Sequence, residues 1–213
     1  MSSDVAAVPE SIVARRARLV REEVSELAMQ LFMSHGFDAV SVDDIAAAAN
    51  MSQRTFFRYF ATKDEIVLQY ERQLRRRLHD AVRLRPADEG PVTALKNAFI
   101  ETSTAAPDHR EQARKRGRVL NDAPMLQARV QVVLSEADAD LAELLTVRMP
   151  SMPRRPREAR ARIIVVTIFA VAAYAWNEWV TSDSNKDPAT YIASAFDVLA
   201  DGWDELDEGS PAS

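Results

Sequence analysis

Ser41 and Ser52 each stand directly ahead of a short run with helical spacing, and Asn50 lies between the two runs. A serine in that position accepts a hydrogen bond from the first turn of the helix it precedes. Asp43 and Asp44 place negative charge at the positive end of the first helix. The spacing predicts one helix over residues 42–49 and another over 53–60. The turn between them falls at an asparagine, which tolerates a left-handed backbone better than most residues with a side chain. Helices this short do not persist alone, so a longer neighbour has to cover them.

That neighbour is legible upstream. Val20, Val24, Leu27, Ala28, Leu31 and Phe32 recur at steps of three and four, and Gly36 supplies the stop. Downstream, Thr62 and Glu65 have the spacing of a capping box, opening a helix through Ile66, Leu68, Leu74 and Leu78. Two prolines and a glycine break the pattern at residues 84–91. Beyond it the periodicity predicts helices over 92–105, 108–122, 124–148, 157–181 and 187–206, with Pro107, Pro124 and Pro188 near helix starts and a proline-rich loop at 149–156. No segment alternates with the period of a strand. The expected fold is all-α with about nine helices: a flexible basic arm over 1–17, a three-helix unit containing the helix-turn-helix over 18–66, a larger helical unit over 67–206, and a disordered tail over 207–213.

Composition narrows the setting. The chain has no cysteine, which excludes disulfides, thiolate metal sites and cysteine nucleophiles. Its beginning lacks the apolar core of an export signal, and the strongest apolar run, residues 163–176, is shorter than a bilayer span requires. A cytoplasmic protein with no membrane partner is the expectation. Net charge is −5, unevenly spread: residues 1–85 hold 13 Lys and Arg against 12 Asp and Glu, and the remainder 14 against 20. The near-neutral first part can still bind phosphates, because such contacts need locally placed cations rather than a positive total.

A short helix, a tight turn and a second short helix form the arrangement that sets one helix in the DNA major groove. On the second helix Phe56 and Phe60 fall side by side and point inward, while Arg54, Thr55, Arg58 and Tyr59 fall opposite. Gln53 and Arg54 can hydrogen-bond base edges, Thr55 offers a methyl or a hydroxyl, and Arg58, Tyr59 and Lys63 can reach phosphates. The alternative is a helical protein-interaction module without DNA binding, in which these side chains are an ordinary solvated face.

The stretch GFDAVSVDDIAAAANMSQRTFFRYFATKDEIV, with Gly36-Phe37, Ser41, Ile45-Ala46, Ser52, Thr55, Phe60, Lys63 and Ile66 in order, resembles the N-terminal domain of the tetracycline-repressor-like (TetR) family of bacterial regulators. The resemblance covers residues from about 18 to 68 and implies a sequence-specific DNA-binding repressor. By it, Gln53, Arg54, Thr55, Phe57 and Tyr59 face the DNA, and Ser41, Thr62 and Lys63 meet the backbone. Two positions depart from the family pattern: Phe57 replaces a common tyrosine and Tyr59 a common histidine. Phe57 cannot donate a phenol hydrogen bond, and its angular position lies nearer the core face. Arg15, Arg16 and Arg18 sit in the expected arm, which either follows phosphates or stays solvated.

The resemblance further implies that the C-terminal helices bind a small molecule and form a homodimer through the last two helices. The sequence adds its own support, since residues 163–176 are apolar around the whole helix and need cover on every side. Phe99, Met125, Leu126, Val130, Val133, Trp176 and Trp179 are candidate lining for a hydrophobic or acyl-CoA-like effector, with Arg118 able to meet an anionic part. Arg114 and Arg116 share that possibility, and a solvated helix face is the alternative for all three. The series Glu136, Asp138 and Asp140 lacks the glycine and terminal glutamate of a calcium loop and reads as a wet face. His35, His79 and His109 lack metal-ligand spacing. No enzyme, cofactor or metal site is expected.

Overall fold

The structure is a computed structural model, described here for residues 11–201, excluding the side chains of residues 136, 137 and 201. Among the described residues it contains nine α-helices and one 3₁₀ turn, Pro107–His109, with no strand. The chain divides into two compact units, residues 1–67 and 68–213.

The first unit holds α1 (Ile12–His35), α2 (Val42–Ala48), α3 (Gln53–Tyr59) and the start of α4 (Asp64–Leu84). Ser11 caps α1 by accepting from the Ala14 N–H at 3.1 Å. This corrects the expected flexible arm: Arg15, Arg16 and Arg18 lie within a helix, because a good cap precedes a run of helix-forming residues. Residues 1–10 of that arm, and the expected tail, lie outside the described residues. Gly36 ends α1 with φ of 85°, a conformation that costs a side-chain-bearing residue far more than glycine. Phe32 and Phe37 then meet with ring centres 5.0 Å apart. Ile45, Phe56, Phe60 and Ile66 complete a dry core beneath α2 and α3.

The second unit contains the rest of α4, then α5 (Pro91–Ser103), α6 (Arg110–Asn121), α7 (Pro124–Thr146), α8 (Arg154–Thr181) and α9 (Pro188–Asp201). Pro91, Pro124 and Pro188 stand at helix starts, where the missing N–H has no intrahelical partner to lose. The expected loop over 149–156 is shorter, since α8 begins at Arg154 and carries Pro156 in its first turn. Leu78, Val82, Leu95, Leu145, Val165, Ile168, Ile192 and Phe196 form the core. Arg148 closes the end of α4, donating from Nη2 to the carbonyls of Val82 and Arg85, both at 2.9 Å, and from Nη1 to that of Pro86 at 2.6 Å. Trp179 is fully buried, and its Nε1–H donates to the Lys186 carbonyl at 2.9 Å.

By length and composition α8 is apolar enough to cross a membrane. Here it packs against α5, α6, α7 and α9, as the core helix of its unit.

Candidate nucleic-acid interface

The turn between α2 and α3 has the expected chemistry. Ser41 accepts from the Asp44 N–H, and the Asp44 carboxylate accepts from the Ser41 N–H at 2.8 Å, completing a capping box. Asp44 also accepts from the Ser41 hydroxyl at 2.6 Å, and this bond is the main cause of its lowered pKa. Asn50 adopts φ of 50°, the only positive φ outside glycine among the described residues. Ser52 caps α3 through the Thr55 N–H at 3.1 Å, and its hydroxyl lies 2.9 Å from that of Thr55.

Phe56 and Phe60 anchor α3 from below, stacked with centres 5.2 Å apart. Above them, Gln53, Arg54, Phe57 and Arg58 are exposed, while Thr55 and Tyr59 are half-buried at the flank. Phe57 is therefore not on the core side, as its angular position had suggested. The space beneath a seven-residue helix is filled by two phenyl rings, and Phe57 stands edge-on to Phe56 at 5.6 Å with half its surface open. The outward row holds two guanidiniums, one amide and one aromatic ring, a set able to meet phosphates, base edges and thymine methyls.

Two other expected contacts are committed to the protein itself, and a third is a buried hydroxyl. Lys63 Nζ donates to the carbonyls of Phe37 at 2.7 Å and Val40 at 2.8 Å, and lies 4.4 Å from the Phe37 ring centre. Two of its three N–H bonds thus tie the loop between α1 and α2 to the start of α4. The Thr62 hydroxyl is buried without a hydrogen-bond partner among the described residues. The Ser41 O–H is given to Asp44, whose negative charge would also repel a phosphate.

In the second unit Leu126 and Val130 are buried and Val133 partly so, whereas Met125 is 86% exposed and Arg118 lies on the surface. Trp176 and Trp179 pack together at 5.1 Å, and Phe99 meets Phe169 edge-on at the same distance. Sequence reasoning missed a charged cluster beside this last pair. Arg75 sits over the Phe169 ring, 3.7 Å from its centre, with its Nε 3.1 Å from Asp138 Oδ1. Neither of those two atoms completes a hydrogen bond, since a guanidinium held against a ring cannot also turn its N–H fully toward the carboxylate. Asp138 is thus no wet face, and burial raises its pKa against the pull of Arg75. Burial likewise pushes the Glu71 carboxyl up to about 7, with Arg75 opposing. Arg114 is no solvated side chain either: it lies 4.7 Å from the Trp179 ring centre and donates to the Ser184 carbonyl at 2.7 Å.

Among the described residues a capped helix-turn-helix is followed by a helical unit, the arrangement by which a transcriptional regulator sets one helix in the major groove. Residues 25–70 match the family described as bacterial regulatory proteins, tetR family, and residues 89–204 match the MftR C-terminal domain. The chain is 31% identical over 206 residues to a protein of Mycobacterium tuberculosis designated mycofactocin biosynthesis transcriptional regulator MftR, covering 93% of this chain and 98% of that one. It is 28% identical over 193 residues to the HTH-type transcriptional regulator TcmR of Streptomyces glaucescens, covering 87% and 84% respectively. In fold it is similar to Thermus thermophilus FadR, a TetR-family repressor solved with lauroyl-CoA, with a TM-score of 0.57 at 24% identity over 91% of this chain and 98% of that one. The chain belongs to the TetR family of bacterial transcriptional regulators.

Proposed function

We propose that the protein is a dimeric repressor that inserts α3 into the major groove of its operator and loses or changes affinity when a small, largely apolar molecule occupies its C-terminal unit. The outward row of Gln53, Arg54, Phe57 and Arg58 on a capped, phenyl-anchored α3 carries the DNA part of this reading. Gln53 and Arg54, at the start of the helix, read base edges. Arg58, whose guanidinium donates to the Tyr59 hydroxyl, also reaches base edges, and Thr55 and Phe57 offer apolar contact to thymine methyls or sugars. The DNA-binding domain runs from the start of α1 to residue 66, and the ligand-binding and dimerisation domain begins at residue 67.

The effector reading rests on the interior of the second unit. Phe99, Leu126, Val130, Val133, Trp176 and Trp179 supply apolar surface, and Met125 and Arg118 fall outside it by their exposure. The cluster of Glu71, Arg75 and Asp138 adds polar groups, of which Arg75 Nε and Asp138 Oδ1 complete no hydrogen bond among the described residues, the combination by which a mostly apolar site orients a ligand. An acyl-CoA-like molecule suits this composition, and the FadR relative was solved with one.

The dimer reading rests on α8. Ile163, Val166 and Tyr174 are 64%, 69% and 65% exposed, and Ala170 and Ala173 share their face. Val198 on α9 is similarly open. An apolar stripe of this length marks an interface, and a two-fold pair of such chains reaches adjacent major grooves.

The test is selection of duplexes from a random pool by the full chain. A two-fold-symmetric site bound far more tightly than scrambled DNA, and weakened about tenfold or more by Arg54→Ala, is the expected result. Binding that shows no sequence preference would overturn the reading in favour of an interaction module.

A further inference from the structure

Tyr59 closes α3, and its carbonyl is one of the acceptors that a helix leaves unpaired at its end. Arg21, 38 residues earlier on α1, donates to that carbonyl from Nε at 3.2 Å. The same guanidinium lies 5.9 Å from the centre of the Tyr59 ring. Arg58 approaches the ring as well, at 5.0 Å, and its Nη2 donates to the Tyr59 hydroxyl at 3.2 Å. Tyr59 is therefore tied to two guanidiniums, one from the supporting helix and one from the outward row.

A seven-residue helix has too few internal hydrogen bonds to fix its own direction. Ser52 holds the beginning of α3 and the Phe56–Phe60 stack holds its underside. At the C-terminal end, a positive charge on the last carbonyl suits the helix dipole and orders the final turn. The Tyr59 hydroxyl, accepting from Arg58, then limits where that guanidinium can point. An arginine so directed makes a bidentate contact at less entropic cost than a freely rotating one.

We propose that Arg21 is a positioning residue for DNA recognition: from α1 it holds the final turn of α3 and, through Tyr59, aims Arg58, so that it governs discrimination between DNA sequences without contacting a base. This rests on the reading that α3 enters the groove.

The experiment compares full-length wild type, Arg21→Ala, Arg58→Ala, the double variant and Arg54→Ala. Each is titrated against a duplex selected by the wild type and against a scrambled duplex of equal length, at several salt concentrations. Arg21→Ala is expected to lose about tenfold on the selected duplex while changing less than about twofold on the scrambled one, with the salt slope intact. The double variant is expected to lose no more than the larger single loss, since the two residues act through one tyrosine. Equal loss on both duplexes with the salt slope reduced by about one would make Arg21 a plain phosphate contact and overturn the proposal. Equal loss on both with a lower melting temperature would make it merely structural and overturn it too. Should Arg21→Ala fail to fold, Tyr59→Phe keeps the ring and removes the acceptor for Arg58; it must weaken the selected duplex alone, and equal loss on both overturns the proposal. If Arg54→Ala leaves selected binding unchanged, the groove reading itself fails; if Arg54→Ala weakens it and Arg21→Ala does not, only the positioning role fails.

Discussion

Gly117 on α6 lies so close to Val180 on α8 that a Cβ built on it would stand 2.5 Å from Val180 Cγ2 and 3.0 Å from Trp176 Nε1. Val180 is fully buried, and a β-branched side chain in a helix has essentially one rotamer, so it cannot turn away. Gly117→Ala should therefore destabilise the second unit by roughly 1–3 kcal/mol through overpacking, despite alanine's better helix propensity. Thermal melting checks this; a stabilised variant would show that α6 and α8 are not in such close contact.

Lys63 and Arg54 should separate in a way that exposed cations alone would not. Lys63→Met removes the donor from two loop carbonyls and should cost roughly 1–3 kcal/mol of stability in the first unit. Arg54→Ala, on the open side of α3, should change stability by less than about 0.5 kcal/mol while weakening DNA binding. Denaturant melts of both variants beside binding titrations decide it, and similar stability losses would contradict the assignment.

Glu71 gives the second unit a pH dependence of known sign. Its carboxyl titrates near 7 in the fold and near 4.5 in an unfolded chain. The stability this group contributes is thus complete below pH 4.5 and is lost as pH rises to about 7, because the charged form is poorly solvated where it sits. Full loss is on the order of 3 kcal/mol. Glu71→Gln should flatten the stability profile of the unit between pH 4.5 and 7. An unchanged slope would mean that Glu71 reaches water.

Several of these side chains were legible in the sequence and several were not, for physical reasons. Ser41, Asn50, Ser52 and Gly36 act through their own backbone or that of residues three positions away, so sequence spacing revealed them, and the all-helical fold followed from periodicity. Ser11 obeys the same local rule; the start of α1 was missed because a basic stretch was read as solvated. Arg75, Asp138 and Glu71 escaped because charged residues are expected to face water, and only tertiary packing brings Arg75 of α4 onto Phe169 of α8. The two loop carbonyls that Lys63 meets were not legible, because nothing local indicates that Phe37 and Val40 lie within its reach. The angular position of Phe57 pointed toward the core face while the family resemblance set it toward the DNA, and it lies on the exposed side, because angular position ignores how much volume two neighbouring rings already occupy.

A charge placed in the α8 stripe should separate the chains. Val166→Asp combined with Tyr174→Asp leaves the core of the unit untouched, because both side chains point outward. Sedimentation at micromolar concentration should then show a monomer, and affinity for a two-fold-symmetric duplex should fall more than about tenfold as the two half-sites are bound independently. A variant that still sediments as a dimer would place the interface elsewhere.

An apolar stripe left open on each single chain also bears on gene dosage. If only the pair occupies the promoter, and single chains predominate when copies are few, promoter occupancy grows with the square of the number of chains. Halving expression would then cut occupancy about fourfold by mass action. On that reading a bacterium carrying such a regulator would gain a steeper than linear response to its own expression level, set by how strongly Ile163, Val166 and Tyr174 of paired chains prefer one another to water.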